Sequence, residues 1–133
     1  MADQKKIGNT VGEVYQTALS VMYENTKNTK DYDQYLFGVL NLLLAENFEL
    51  NNINREAYGK QPLEEIPYVN EKTDVIPYES VFYRRILPLG LAANFFVDDS
   101  MSKHADFYVQ YSNARVDAER AVITSYYVGE DEE

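Results

Sequence analysis

From Met101 to Tyr126 the chain carries a helical period whose strictly polar stripe is unusually narrow. Asp106, Gln110, Asn113, Asp117 and Arg120 follow one another at intervals of four, three, four and three, which stacks them along one line of a helix. The rest of the circumference is apolar on two sides. One side holds Met101, Ala105, Tyr108, Val109, Ser112 and Val116; the other holds Phe107, Tyr111, Ala114, Ala118, Ala121 and Val122. A helix that is apolar over most of its surface has to be covered over most of its surface. A small bundle needs one side for its core, so the second side is free for a neighbouring subunit. The side with Phe107, Tyr111, Ala114, Ala118 and Val122 is taken as the expected subunit interface, which makes the chain a homo-oligomer. A loosely packed monomer is the simpler rival.

Three further helices are legible. Thr10 with Glu13 forms a capping box ahead of Val11, Val14, Ala18 and Met22, predicting a first helix over 10–27. Asp31 caps a second, in which Tyr35, Leu36, Val39, Leu40, Leu43 and Leu44 make a broad apolar face running to about Phe48. Pro77 opens a third with Tyr78, Phe82, Ile86, Leu89, Ala93 and Phe96 on one stripe; Pro88 removes one backbone bond and should kink it. Ser100 or Ser102 caps the fourth. Between Leu50 and Pro77 the helical period disappears and Asn, Gly and Pro punctuate the chain, so a long connection is expected. In it Ile66–Val69 and Thr73–Ile76 can pair as a small hairpin around Asn70 and Glu71. At 133 residues there is room for one core. The expected fold is all-α: a single helical domain over 1–128, a bundle of four principal helices with a long loop, followed by an acidic tail over 129–133.

No reactive constellation stands out, and the chain is not expected to be an enzyme or to hold a metal or cofactor. The sequence has no cysteine, which removes thiolate nucleophiles and cysteine-ligated metal sites. Its single histidine, His104, sits near Asp98, Asp99 and Asp106, but His104 and Asp106 fall on different faces of a helix, and a surface histidine is the simpler reading. Glu64/Glu65 and Asp98/Asp99 are adjacent pairs that do not set an acid opposite a base. Arg84 and Arg85 on an otherwise apolar helix are a candidate ion pair, with Glu79 or Asp31 as partners. Tyr126, Tyr127 and Val128 follow the fourth helix and suit a short strand added to a partner. With 22 acidic against 12 basic residues, a net charge of −10, the chain has the wrong sign for gripping phosphates. Neither a secretory signal nor a membrane span is expected, since Ile86–Val97 falls short of the roughly 17 to 25 residues a span requires.

In its order of elements the chain resembles the head-to-tail adaptor (connector, or head-completion) proteins of tailed bacteriophages. A helical pair, VGEVYQTALSVM and DYDQYLFGVLNLLLAENFEL, precedes a loop ending in DVIPYESVFYRRILPLGLAANFFVDD, and the aromatic- and Ala-rich helix SKHADFYVQYSNARVDAERA follows directly. The stretch LPLGLAANFFVDDSMSKHADFYVQYSNAR carries the likeness furthest. The resemblance implies a virion neck protein, made in the host cytoplasm, that forms a ring, commonly twelvefold. The ring would dock on the portal protein and extend the DNA channel, which DNA passes without specific binding, while offering a platform to a tail or further neck protein. It assigns portal contact to Tyr126, Tyr127 and Val128. From another class, an acidic helical module that sequesters a host protein is the alternative, and a small hydrolase centred on His104 is a third.

Overall fold

The computed structural model describes residues 7–24 and 30–131, excepting the side chains of 124–131. The fold is all-α, and among the described residues there is no strand. The described residues form six α-helices: α1 (Val11–Val21), α2 (Lys30–Asp33), α3 (Leu36–Glu46), α4 (Phe48–Ala57), α5 (Leu87–Phe95) and α6 (Met101–Asp131).

The capping box opens α1 as its sequence requires. The Glu13 amide donates to Thr10 Oγ1 at 3.2 Å, and the Thr10 amide donates to Glu13 Oε1 at 3.3 Å. The helix then ends well before the expected Lys27, because Tyr23 takes a left-handed conformation (φ 59°). The Glu24 amide bonds back to the Leu19 carbonyl and the Tyr23 amide to that of Ser20, the paired closure that normally recruits glycine. The expected second helix is also divided. A turn at Gln34–Tyr35 separates α2 from α3, and Asn47 alone joins α3 to α4.

Helix α4 occupies part of what reads as loop in the sequence, and the reason is chemical. Its inward line is Asn47, Asn51 and Asn54, all buried and at helical spacing. The period is present but written in asparagine, which apolar patterning does not register.

The remaining connection, 58–77, is an ordered strap clipped down by two asparagines. Asn52 donates through Nδ2 to the Leu63 carbonyl (3.1 Å) and accepts from the Leu63 amide (2.8 Å); Asn41 does the same for Val69 (2.9 Å each way). Each side chain thus imitates one rung of a sheet. The expected hairpin does not form. Asp74 instead folds residues 70–74 into a turn by accepting from the Asn70 and Glu71 amides, and Val75 pairs across the chain with Thr10 in an isolated antiparallel bridge. The carbonyls of Asp74 and Lys72 then receive the Val11 and Gly12 amides, donors that the first turn of α1 would leave unmet.

A π-helical turn, Phe82–Ile86, leads into α5, and within it the Leu87 amide reaches the Phe82 carbonyl, one residue further back than in an α-helix. The widened turn stands just before Pro88, where the sequence predicts a kink. Beyond it α5 is the central element. Leu87, Pro88, Gly90, Leu91, Ala92, Ala93 and Phe95 are buried, and α1, α3 and α6 pack around it. Gly90 sits between side chains of α3 and α6: a Cβ there would lie 2.9 Å from Leu43 Cδ2 and 3.0 Å from the Tyr111 ring.

Ser100 caps α6, its Oγ accepting from the Lys103 amide at 3.2 Å. The helix runs on to Asp131, about 46 Å at 1.5 Å per residue, rather than ending near Tyr126. The backbone of Tyr126, Tyr127 and Val128 is therefore helical and forms no short strand, and so is that of Gly129 to Asp131. Their side chains lie outside the described residues, as do Glu132 and Glu133.

Candidate interaction surfaces

The two apolar sides of α6 are used in the reverse of the expected way. Tyr111 and Ala118 are each 4 % exposed, Ala114 and Val122 are buried, and Phe107 packs half-buried against the core. The fold thus keeps for itself the side chosen for a subunit contact, and in this conformation those residues are closed to a neighbour. The other side faces outward: Val109 is 56 % exposed, with Met101, Tyr108 and Val116 also open.

What selects the inward side is the chemistry of Tyr111. Its hydroxyl donates to Glu46 Oε1 and accepts from Asn47 Nδ2 at 2.9 Å, while Asn47 Oδ1 accepts from Arg115 Nε at 2.9 Å. The α3–α4 junction and α6 are thereby locked by polar groups that satisfy one another, Asn47 and Tyr111 buried and Glu46 open to water. Tyr108, three residues earlier, has no such partner and remains at the surface.

Tyr108 forms one wall of a trough between α3 and the α5–α6 corner. Its first stretch, about 350 Å³, is lined by Leu42, Leu43, Glu46, Ala93, His104 and Tyr108 among others. The second, about 500 Å³, has Tyr32 and Phe95 in its floor, Tyr35 and Val97 in its walls, and Asp31, Asp98 and Asp99 at its rim. Val39 and Asn94 line both stretches, so the two adjoin at these residues. Leu42 (73 % exposed), Tyr35 (59 %) and Tyr108 (55 %) leave much apolar surface in water for a chain of this size. Tyr35, Val39 and Leu42 lie at i, i+4 and i+7, a helical spacing visible in the sequence. Nothing there separates this outer line of α3 from the inner one of Leu36, Leu40, Leu43 and Leu44.

The acidic rim acts on the Tyr32 phenol in the floor. Tyr32 donates to Asp99 Oδ2 at 3.3 Å, and burial together with the carboxylates of Glu24, Asp99 and Asp31 pushes its phenol up to about 12 from an ordinary 10. Burial also raises Tyr78, which donates to the Leu44 carbonyl, and Tyr111, which is held protonated further by its bond to Glu46. Because these phenols ionise at higher pH folded than unfolded, their contribution is complete below pH 10 and is lost as pH rises from 10 towards 12. Helical circular dichroism should fall through that window together with a rise in tyrosinate absorbance. Ionisation of all three phenols with the helix signal intact would contradict their burial.

The remaining candidates are placed as follows. His104 Nδ1 lies 2.7 Å from the Ala93 carbonyl oxygen, and its ring leans on Tyr108, half-buried within the trough rather than free on the surface. Among the described residues no group of three or more His, Asp or Glu side chains is set to hold a metal ion. Arg85 pairs with Asp117 across α6 at 3.0 Å, both about half exposed, and Arg84 donates to the Ile7 carbonyl at 3.3 Å. Neither meets Glu79, which is taken by Arg55 (3.3 Å) and Lys60 (2.7 Å), or Asp31, which lines the trough. Exposed pairs of this kind add little stability, on the order of 0 to 1 kcal/mol. No described helix is long and apolar enough to cross a membrane.

Neither a family model, nor a curated protein, nor a solved structure matches the chain.

Proposed function

We propose that this chain is a structural assembly subunit, a ring-forming head-to-tail adaptor of the tailed-phage type, whose work is done by its protein contacts. The observation that carries the reading is the outward apolar side of α6, Met101, Tyr108, Val109 and Val116, which runs into the trough at Tyr108. Apolar surface in that amount, beyond what the core consumes, is worth burying: a fully covered valine or methionine contributes roughly 1.5–3 kcal/mol. The order of elements supports the adaptor identity specifically. In this reading α6 packs against the next subunit around a ring, the portal contacts one rim, and a tail or further neck protein contacts the other. A charge of −10 per subunit keeps passing DNA from adhering to the channel wall.

Light scattering on a sizing column tests this directly. The expected result is a closed ring of one defined mass, and a monomer at every concentration would overturn the reading. The substitutions Val109→Asp and Val116→Asp, together on the outward side, are expected to give a monomer with unchanged circular dichroism. Rings formed by that variant would show that α6 is not the contact.

The second reading, an acidic module that sequesters a host protein, draws on the carboxylate-rimmed trough and on the same net charge. A stable monomer without affinity for a portal protein is the outcome that favours it.

A further inference from the structure

The trough changes character along its length. Its second stretch carries Asp31, Asp98 and Asp99, all exposed, around a floor of Tyr32 and Phe95, whose rings stack at 4.9 Å. Among the described residues none of the three aspartates is in an ion pair, and no lysine or arginine lines either stretch. Lys103, at the start of α6, lies instead over the Phe96 ring at 5.2 Å. The first stretch is mainly apolar, with Leu42 and Tyr108 open to water, and its carboxylate, Glu46, already accepts from the Tyr111 hydroxyl. An occupant therefore has to bring apolar side chains to one end and positive charge to the other. A second copy of this chain brings a net charge of −10 to a rim of the same sign, so the occupant is a different protein.

The walls decide the form of that occupant. They are helices and the turns between them, and among the described residues no strand edge faces the trough. An extended segment would leave its own amides and carbonyls unmet there, whereas a helix satisfies them internally. The open line from Tyr35 through Val39 to Leu42 covers about 10 Å, two helical turns against which a second helix can lie. We propose that the trough receives an amphipathic helix of another protein, its apolar side chains against Val39, Leu42 and Tyr108 and its lysines or arginines against Asp31, Asp98 and Asp99. The inference rests on the reading that this chain works through protein contacts and is independent of the ring.

The probe that tests it is a synthetic helix of about 15 residues, with leucines at i, i+4 and i+7 and two arginines at one end, titrated calorimetrically into the full-length chain. A chain of net charge −10 attracts any cationic peptide, so substitutions at the site decide the outcome. Asp31→Lys with Asp98→Lys at one end, and separately Leu42→Gln at the other, are each expected to weaken binding on the order of tenfold. Circular dichroism should be unchanged, since all three side chains are exposed. A second probe with glutamates in place of the arginines should bind the charge-reversed variant better than the native chain. Binding of the arginine probe that is indifferent to either change overturns the inference. So does equal binding of a probe without leucines, since general charge attraction then accounts for it, and so does no binding at about 1 mM peptide. Light scattering on the same samples separates the inference from the ring. A monomer that binds the probe at the trough overturns the ring alone, and a ring that does not bind it overturns the inference alone.

Discussion

The double variant Tyr111→Asp with Ala118→Asp is expected to be unfolded, with its helical circular dichroism lost and its hydrophobic surface open to a fluorescent apolar dye. Both positions are 4 % exposed. A carboxylate at 118 would have to fit into a nearly closed position beside Asp117, and one at 111 would stand beside Glu46 after removing the hydroxyl that Glu46 and Asn47 both engage. A single unpaired buried charge destabilises a small protein by several kcal/mol unless it takes up a proton. Together the two changes approach the roughly 5–15 kcal/mol that holds a domain together. The outward pair Val109→Asp with Val116→Asp gives the contrast, since there the charges meet water. If the 111/118 variant is instead a well-folded helical monomer, α6 is rotated about its axis and its two sides exchange roles.

That contrast also marks where the sequence stops being decisive. The period of α6 establishes a helix with two apolar sides, and the capping groups Thr10 and Ser100 establish where α1 and α6 begin. Which side of α6 turns inward depends on a partner for the Tyr111 hydroxyl, supplied by Glu46 and Asn47 more than sixty residues earlier. A propensity or a spacing has no access to that information. Helix α4 was hidden for a related reason. Buried Asn47 is satisfied by Tyr111, Arg115 and the Leu43 carbonyl, and Asn51 accepts from the Glu79 amide while its Nδ2 finds no partner among the described residues; those partners belong to the tertiary structure. The hairpin failed because Asn41, Asn52 and the amides at the start of α1 offered the strap better partners than its own two arms did. The trough had no linear signature at all, since its walls come from α2, α3, the turn after α5 and α6.

Asn47 is the position at which these dependencies meet, and Asn47→Ala is expected to destabilise the fold by about 2–4 kcal/mol in chemical denaturation. The residue is fully buried at the single-residue junction of α3 and α4. Its amide nitrogen donates to the Leu43 carbonyl and to the Tyr111 hydroxyl, both at 2.9 Å, and its oxygen accepts from Arg115. Alanine abolishes all three bonds and leaves a void between the junction and α6. Tyr111→Phe is milder, about 1–2 kcal/mol, because it keeps the ring in place and removes only the hydroxyl. The two residues bond to each other, so the double variant should be less destabilised than the sum of the two by about 1 kcal/mol. Strict additivity would mean that the Asn47–Tyr111 bond contributes nothing. An effect of Asn47→Ala below about 0.5 kcal/mol, the range of an ordinary surface change, would mean that the junction is held by apolar packing alone. In that case the orientation of α6 would rest on apolar fits such as that of Gly90 between Leu43 and Tyr111.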